Sequence, residues 1–402
     1  MTSQHPELAL LGGTPTFPEP LHVGRPNIGD RKVIERLIGE ILDRRWLSND
    51  GPVARELEYR LAEYLSVNHV VLMCNATLAL EIATRAAGMQ GEVIVPSFTF
   101  VATAHALQWQ GVTPVFCDID PKTHNLSPEA VEAAITPGTT GIIGVHLWGR
   151  PCCVDSLTDI ARRHKLALMF DAAHAFGCSH GPHRIGGFGH GEVFSFHATK
   201  FFNTFEGGAL ATNDSELASR AKLMRNFGFS GYDKVDYLGT NAKMTEVCAA
   251  MGLAGLDILE EFTAANHRNY DCYRTNLDPV PGISIINYDA SNQNNWQYII
   301  LEVDPARSGL TRDELMGVLW AENVMARRYF YPGAHRMEPY RTLYPEAGKR
   351  LPNTEALCES VLALPNGTSL TEETVTTVSS IISRAVENAA SVKRKLAESK
   401  LS

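Results

Sequence analysis

Glu192-Val193-Phe194-Ser195-Phe196-His197-Ala198-Thr199-Lys200, followed by Gly207-Gly208 and the apolar run Ala209–Thr212, is the passage on which the fold turns. Residues 192–196 read as a buried strand that runs into a polar turn ending in a single lysine. A lysine just past a strand, among small and aromatic residues, suits covalent chemistry on a carbonyl. Its amine forms a Schiff base once desolvation or nearby cations lower its pKa. The competing reading is a solvated loop lysine, since most lysines lie on the surface. Two other stretches favour the first: a carboxylate at Asp171 and an anion-cradle candidate at Asn75-Ala76-Thr77.

Working outward, apolar runs of about five residues alternate with longer amphipathic segments. The expected strands are 69–73, 92–96, 112–116, 141–145, 166–170, 192–196 and 209–212. Helices are expected over 31–42, 52–65, 78–87, 103–110, 128–134, 154–164 and 214–227. Continuous apolar strands alternating with helices indicate α/β architecture with a mostly parallel sheet covered on both faces. Ligands in such sheets bind beyond the carboxyl ends of the strands, where Asn75, Asp171 and the turn before Lys200 all fall.

Prolines and Gly12-Gly13 make residues 1–30 an extended arm, of the kind that can cross to a second subunit. Residues 31–260 read as the large domain, closing on one long helix over 244–273. Residues 261–402 read as a smaller α+β domain, with strands near 283–287 and 296–303 and helices over 311–322, 353–362 and 371–398.

The 402 residues are 44% hydrophobic and 20% charged, ordinary for a folded globular chain. A net charge of -9 argues against a nucleic-acid surface. Eight cysteines without CxxC spacing argue against a zinc ribbon or a thioredoxin-type motif and suggest a reducing compartment. No metal site is expected. The first eleven residues lack a basic segment before a long apolar core, and no run reaches membrane-spanning length. A cytoplasmic protein without membrane contact is expected.

Asn75-Ala76-Thr77 sits where a strand meets a helix. Free N–H groups and the helix dipole make an anion site there, and small Ala76 admits a phosphate. The same residues also read as a simple N-cap. Asp171 ends an apolar strand before Ala172-Ala173-His174, and a buried carboxylate needs a partner. A pyridinium nitrogen is one, which would hold pyridoxal phosphate in its electron-withdrawing form; a structural salt bridge or a cap is the other reading. His174 is a cofactor contact or a core histidine. Phe100 stacks on a flat ring or fills the core. Ser195 faces away from Phe194 and Phe196, on the side from which it reaches a phosphate.

Together, Asn75-Ala76-Thr77, residues 93–100 (Val-Ile-Val-Pro-Ser-Phe-Thr-Phe), Asp171-Ala172-Ala173-His174, Ser195 to Lys200 and Glu206-Gly207-Gly208 resemble the DegT-type sugar aminotransferases. These are vitamin-B6 enzymes of fold type I, the aspartate aminotransferase fold. The resemblance runs from Arg25 to about Pro365. It implies that Lys200 binds the cofactor covalently and shuttles protons, that Asp171 pairs with the ring nitrogen, and that Phe100 stacks on the ring. It also implies that Ala76, Thr77 and Ser195 bind the phosphate, with His174 near the cofactor hydroxyl. In this family a partner subunit completes the site with an asparagine, here Asn241 in Gly239-Thr240-Asn241-Ala242-Lys243-Met244. The family's arginine is replaced by Lys243, which keeps the charge and loses the planar fork. Phe201 stands where asparagine often follows the lysine, and Asn203 comes later. Arg328, Tyr331, His335 and Arg336 resemble the substrate-facing loop, suited to a diphosphate or a donor carboxylate; surface salt bridges are the other reading.

The resemblance implies a homodimeric transaminase with shared active sites. Pyridoxal phosphate passes through its pyridoxamine phosphate form as an amino donor, glutamate by resemblance, aminates a nucleotide-linked keto-sugar in deoxysugar biosynthesis. Three alternatives remain: a dehydratase or epimerase on the same fold, an aminocyclitol aminotransferase, and a regulatory protein that binds the cofactor without turnover. One deoxygenating branch carries histidine at the lysine position, and Lys200 speaks against it.

Overall fold

Seven strands form the main sheet: β1 His69–Met73, β2 Glu92–Pro96, β3 Thr113–Cys117, β4 Thr139–Val145, β5 Ala167–Asp171, β6 Gly191–Ser195 and β7 Gly208–Thr212. In this computed structural model, which describes residues 7–399, their order is β1-β7-β6-β5-β4-β2-β3. Residues 1–6 of the expected arm and 400–402 of the expected small domain lie outside the described residues. Each expected strand of this sheet is present, its ends within two residues of the expectation.

All neighbours pair in parallel except β7, which runs antiparallel to both β1 and β6. Its reversal puts its first residue, Gly208, beside Ser195 and Met73, at the edge where the other strands end. The two-residue period of a strand then sorts side chains onto two covered faces. Val71, Met73, Val193 and Leu210 pack with Leu80 and Ala83 of the helix Ala76–Ala86. Val70, Leu72, Phe194 and Ala209 pack on the other side with Leu57 and Leu61 of the helix Pro52–Leu65. Truncating fully buried Phe194 to alanine would cost about 3–5 kcal/mol.

The second unit is built on the antiparallel sheet β8 Ile283–Ile285, β9 Ile299–Val303 and β10 Val361–Leu364, with β9 central. Strand β10 corrects the expected helix over 353–362. The helix ends at Cys358, and the apolar run 361–364, fully buried, pairs with β9 instead. The expected single helix over 244–273 is two, Glu246–Leu256 and Leu259–Leu277, broken where Ile258 leaves helical geometry. The break follows from packing: the first packs with the helices Arg31–Arg44 and Pro52–Leu65, the second with the helix Glu372–Glu387. The expected helix over 371–398 is likewise divided, at Asn388, into Glu372–Glu387 and Ala389–Ser399.

The arm, from residue 7 on, docks on this second unit of its own chain. Leu8 and Leu21 join its core, and Leu21 pairs with Val324. Fully buried Glu322 accepts hydrogen bonds from the amides of Ala9 and Thr16, each at 2.8 Å, and from the Thr16 hydroxyl at 2.6 Å. Three donors on one carboxylate make this buried charge tolerable.

Candidate active site

The carboxyl edge of the main sheet opens into a cavity of about 430 Å³. Ala76, Thr77, Phe100, Asp171, His174, Ser195 and Lys200 all line it.

One wall is an anion cradle. Asn75 caps the helix Ala76–Ala86, its side chain accepting from the Leu78 amide at 2.8 Å. The N-cap reading and the cradle reading are therefore compatible, because capping leaves the amides of Ala76 and Thr77 at the cavity wall. Gly208 lies hard against this helix start: a Cβ there would sit 2.6 Å from the Ala76 nitrogen. A side chain at 208 would close the cradle.

Asp171 and Lys200 bring opposite charges to the same cavity. Asp171 is buried, its Oδ2 accepting from Thr103 Oγ1 at 2.8 Å and its Oδ1 from the Ala173 amide at 3.1 Å. Burial pushes its pKa up, opposed by the Thr103 and Ala173 hydrogen bonds and the Lys200 charge. The amine of Lys200 is buried although the residue as a whole is half-buried, and burial lowers it from 10.5 to about 8 against the pull of Asp171. Nζ donates to the Tyr298 hydroxyl at 3.2 Å. His174 Nδ1 accepts from the Trp148 amide at 3.3 Å, which places a neutral ring's proton on Nε2. Burial and the Lys200 charge hold its pKa well below the ordinary value. His174, Trp148 and Phe330 form a nearly parallel stack, and Phe100, more than half exposed, tilts toward Phe330 across the cavity mouth.

A second cavity, of about 680 Å³, adjoins the first. Thr199, Lys200, Tyr298, Arg327 and Tyr329 line both. Its other walls come from the arm (His22 to Asn27) and the second unit, with Arg25, Arg328 and Tyr331 among them. Arg328 pairs with Asp313 at 3.2 Å and lies over the Tyr331 ring, whose centroid is also 5.1 Å from the guanidinium of buried Arg312. His335 and Arg336 correct the expectation: neither lines either cavity. His335 is buried, bonded to Ser97 Oγ at 2.6 Å and to Glu355 at 2.7 Å, and Arg336 pairs with Glu355 at the surface. Asn241 lines neither cavity of its own chain; it is exposed and accepts from Lys243 Nζ at 2.7 Å. Asn203 is structural, donating to the Asn27 carbonyl at 2.7 Å.

Sequence reasoning missed Thr103, Tyr298 and Arg327. Thr103 had a signal, one helical turn after Phe100 and beside the end of β5. Tyr298 and Arg327 had none, because their places depend on how the second unit meets the first.

The sequence profile of the DegT/DnrJ/EryC1/StrS aminotransferases matches residues 29–383. The chain belongs to this family. Over 88% of its length, and 96% of the relative's, it is 37% identical to a dTDP-4-amino-4,6-dideoxy-D-glucose transaminase of Shigella dysenteriae. It is 35% identical to a GDP-perosamine synthase of Caulobacter vibrioides, over 83% of this chain and 90% of that one. The crystal structure of DesI, determined in the presence of its TDP-sugar product, superposes with a TM-score of 0.91 at 46% identity, covering 98% of this chain and 99% of that one. The chain is accordingly a pyridoxal-phosphate-dependent aminotransferase. The cavity fits that cofactor: a cradle that a Cβ would fill, a buried carboxylate suited to a cationic ring nitrogen, and a desolvated lysine.

Proposed function

We propose that the chain transfers the amino group of an amino acid, glutamate by family resemblance, to a keto-sugar carried on a nucleotide. The observation that carries this is the meeting of Lys200, Asp171 and the anion cradle on one cavity, in a chain whose relatives act on dTDP- and GDP-linked sugars. Pyridoxal phosphate, when bound, supplies a ring that accepts the electrons left when a proton leaves the carbon bearing the transferred nitrogen.

The chain does the rest. Lys200 holds the aldehyde through its amine, a role suited to an amine already lowered to about 8. Asp171 holds a proton on the ring nitrogen, and Thr103 and Ala173 keep its oxygens aimed. The amides of Ala76 and Thr77, with the Thr77 and Ser195 hydroxyls, hold the phosphate. Phe100 flanks the ring, and His174 offers its Nε2 proton to the ring hydroxyl. Once released, Lys200 Nζ would move a proton between the substrate carbon and the cofactor carbon in each half of the reaction, as a positioned general base and acid.

The adjoining cavity receives the nucleotide. Arg25, Arg327 and Arg328 give it positive charge for a diphosphate, with the Asp313 carboxylate on Arg328 the opposing charge. A second copy of the chain completes the site with Asn241. Support comes from the exposed apolar residues Phe227, Phe229, Val235 and Leu238, which lie in the same segment as Asn241. We place the reaction in the cytoplasm: all eight cysteines are free, as in a reducing compartment. No helix among the described residues is long and apolar enough to cross a membrane.

The test has two stages. Addition of L-glutamate to the holoenzyme should convert the cofactor to its pyridoxamine form, read by visible absorbance. A panel of keto-sugar nucleotides, read by mass, should then give an aminated product and restore the spectrum. A spectrum unmoved by any amino acid, with no aminated product, would overturn the proposal.

A further inference from the structure

Lys200 has a partner that the chemistry above does not use. Tyr298 precedes β9 in the second unit, yet its hydroxyl reaches the lysine of the first, accepting from Nζ at 3.2 Å. Among the described residues, Lys200 is the hydrogen-bond partner of this oxygen. The ring cannot easily swing away. It lies 4.3 Å from His174 and 5.4 Å from Trp148, centroid to centroid, and its own carbonyl accepts from Tyr288 at 2.9 Å. Its neighbour Gln297 donates to the Thr199 carbonyl at 3.1 Å, so two successive residues register the second unit on the lysine turn. Tyr298 lines both cavities, at their junction.

We infer that Tyr298 is a catalytic residue: its phenol oxygen is the acceptor that docks the Lys200 amine whenever that amine is not bound to the cofactor. The inference rests on Lys200 being the cofactor-binding lysine. A released lysine is a four-carbon stem with about 2 kcal/mol of rotamer freedom. To take a proton from one carbon and return it to another, its nitrogen must stay within hydrogen-bond reach of both. Asp171 does not serve as the dock, because its remaining acceptor capacity is assigned to the ring nitrogen, beside the Thr103 and Ala173 donors. Tyr298 offers a fixed oxygen with room to accept. Burial keeps the phenol neutral, well above its ordinary pKa, so no proton is exchanged and no bond is made at this residue.

Tyr298→Phe keeps the ring against His174 and removes only the oxygen. We expect a holoenzyme with unchanged cofactor content by visible absorbance. Its single-turnover reaction with L-glutamate should slow about tenfold, the scale of one hydrogen bond to an amine. With α-deuterated glutamate the isotope effect should grow, because proton movement becomes limiting. A second readout uses the cofactor-free full chain mixed with pyridoxal phosphate. The phenol oxygen favours the charged amine, so its removal should move cofactor capture to lower pH by about half a unit. Slower turnover with easier capture is a pairing that general damage to the fold would not produce.

Gln297→Ala separates docking from domain registration and should leave the glutamate reaction within about twofold of wild type. The inference is overturned if Tyr298→Phe reacts within twofold with an unmoved capture profile, or if Gln297→Ala slows the reaction equally. Neither outcome touches the assignment of Lys200. That assignment would fall instead if Lys200→Ala kept the cofactor's visible absorbance.

Discussion

The two cavities that meet at Lys200 are built in different ways. The smaller one, proposed for the cofactor, is made mostly from turns at the carboxyl edge of a single sheet, and its Asp171 carboxylate is buried and held by neighbours in hydrogen-bond reach. The larger one, proposed for the nucleotide, is assembled from the arm, the lysine turn and four separate stretches of the second unit, and it is lined by the guanidinium groups of Arg25, Arg327 and Arg328. The first has the character of preorganised machinery and the second that of an adaptable receptor. Substitutions in the first should therefore strike the chemistry whatever the sugar, while those in the second should strike affinity for one substrate only.

The largest expected effects test the first half of that contrast. Lys200→Ala should abolish the covalent cofactor absorbance and lower turnover by more than about 10³-fold. Asp171→Asn should keep the absorbance and lower turnover by about 10²-fold, as expected for a buried ion pair reduced to a neutral contact. If Asp171→Asn changed only the Michaelis constant of the sugar, the division of labour would be wrong. Next comes Arg25→Gln, at a position that lines the larger cavity and not the smaller one. It should raise the Michaelis constant for the nucleotide-sugar about tenfold while the glutamate half-reaction keeps its rate. Equal losses in both halves would erase the contrast.

A smaller effect concerns residues that lie outside both cavities. His335→Asn should lower unfolding stability by about 1–3 kcal/mol, since Ser97 and Glu355 both lose a buried partner. Arg336→Ala, which breaks an exposed ion pair, should cost less than about 1 kcal/mol. Both are read by denaturant titration, and neither should slow the glutamate half-reaction. The finest test is pH. An amine attacks an aldehyde only when neutral, so cofactor capture should rise with pH through about 8 and level off above it. A midpoint near 10.5, the ordinary lysine value, would mean that Lys200 is not desolvated at all.

What could be read from the chain divides along the same line. The main sheet was legible because each strand is a short apolar run bounded by turns, and the cofactor-side residues fall at strand ends, a position that sequence order reveals. Asp171 and Ser195 needed only that rule. The larger cavity was less legible, because Arg25, Tyr298 and Arg327 are brought together by packing between units and no local pattern marks them. Arg328 and His335 show the difference within one loop: a few residues apart, one faces the cavity and the other is buried against Ser97. The second unit misled for a related reason. Amphipathic spacing continues across Ile258 and Asn388, where the helices break; at Ile258 the two halves pack on different partners. The run 361–364 is apolar enough for either element, and it becomes a strand because β9 offers it an edge.

The reversed strand β7 has a practical consequence. Because it returns from the lysine turn between β1 and β6, residues 196–207 are anchored at both ends in interior strands of the sheet. Backbone amides in β6 and β7 should therefore be among the last to exchange with deuterium, and the lysine is carried by the turn between them. Anyone wishing to retrain this catalyst for another sugar should leave 191–212 alone and diversify the arm with Met316, Trp320 and Met325, where variation reshapes the receptor without loosening the tool.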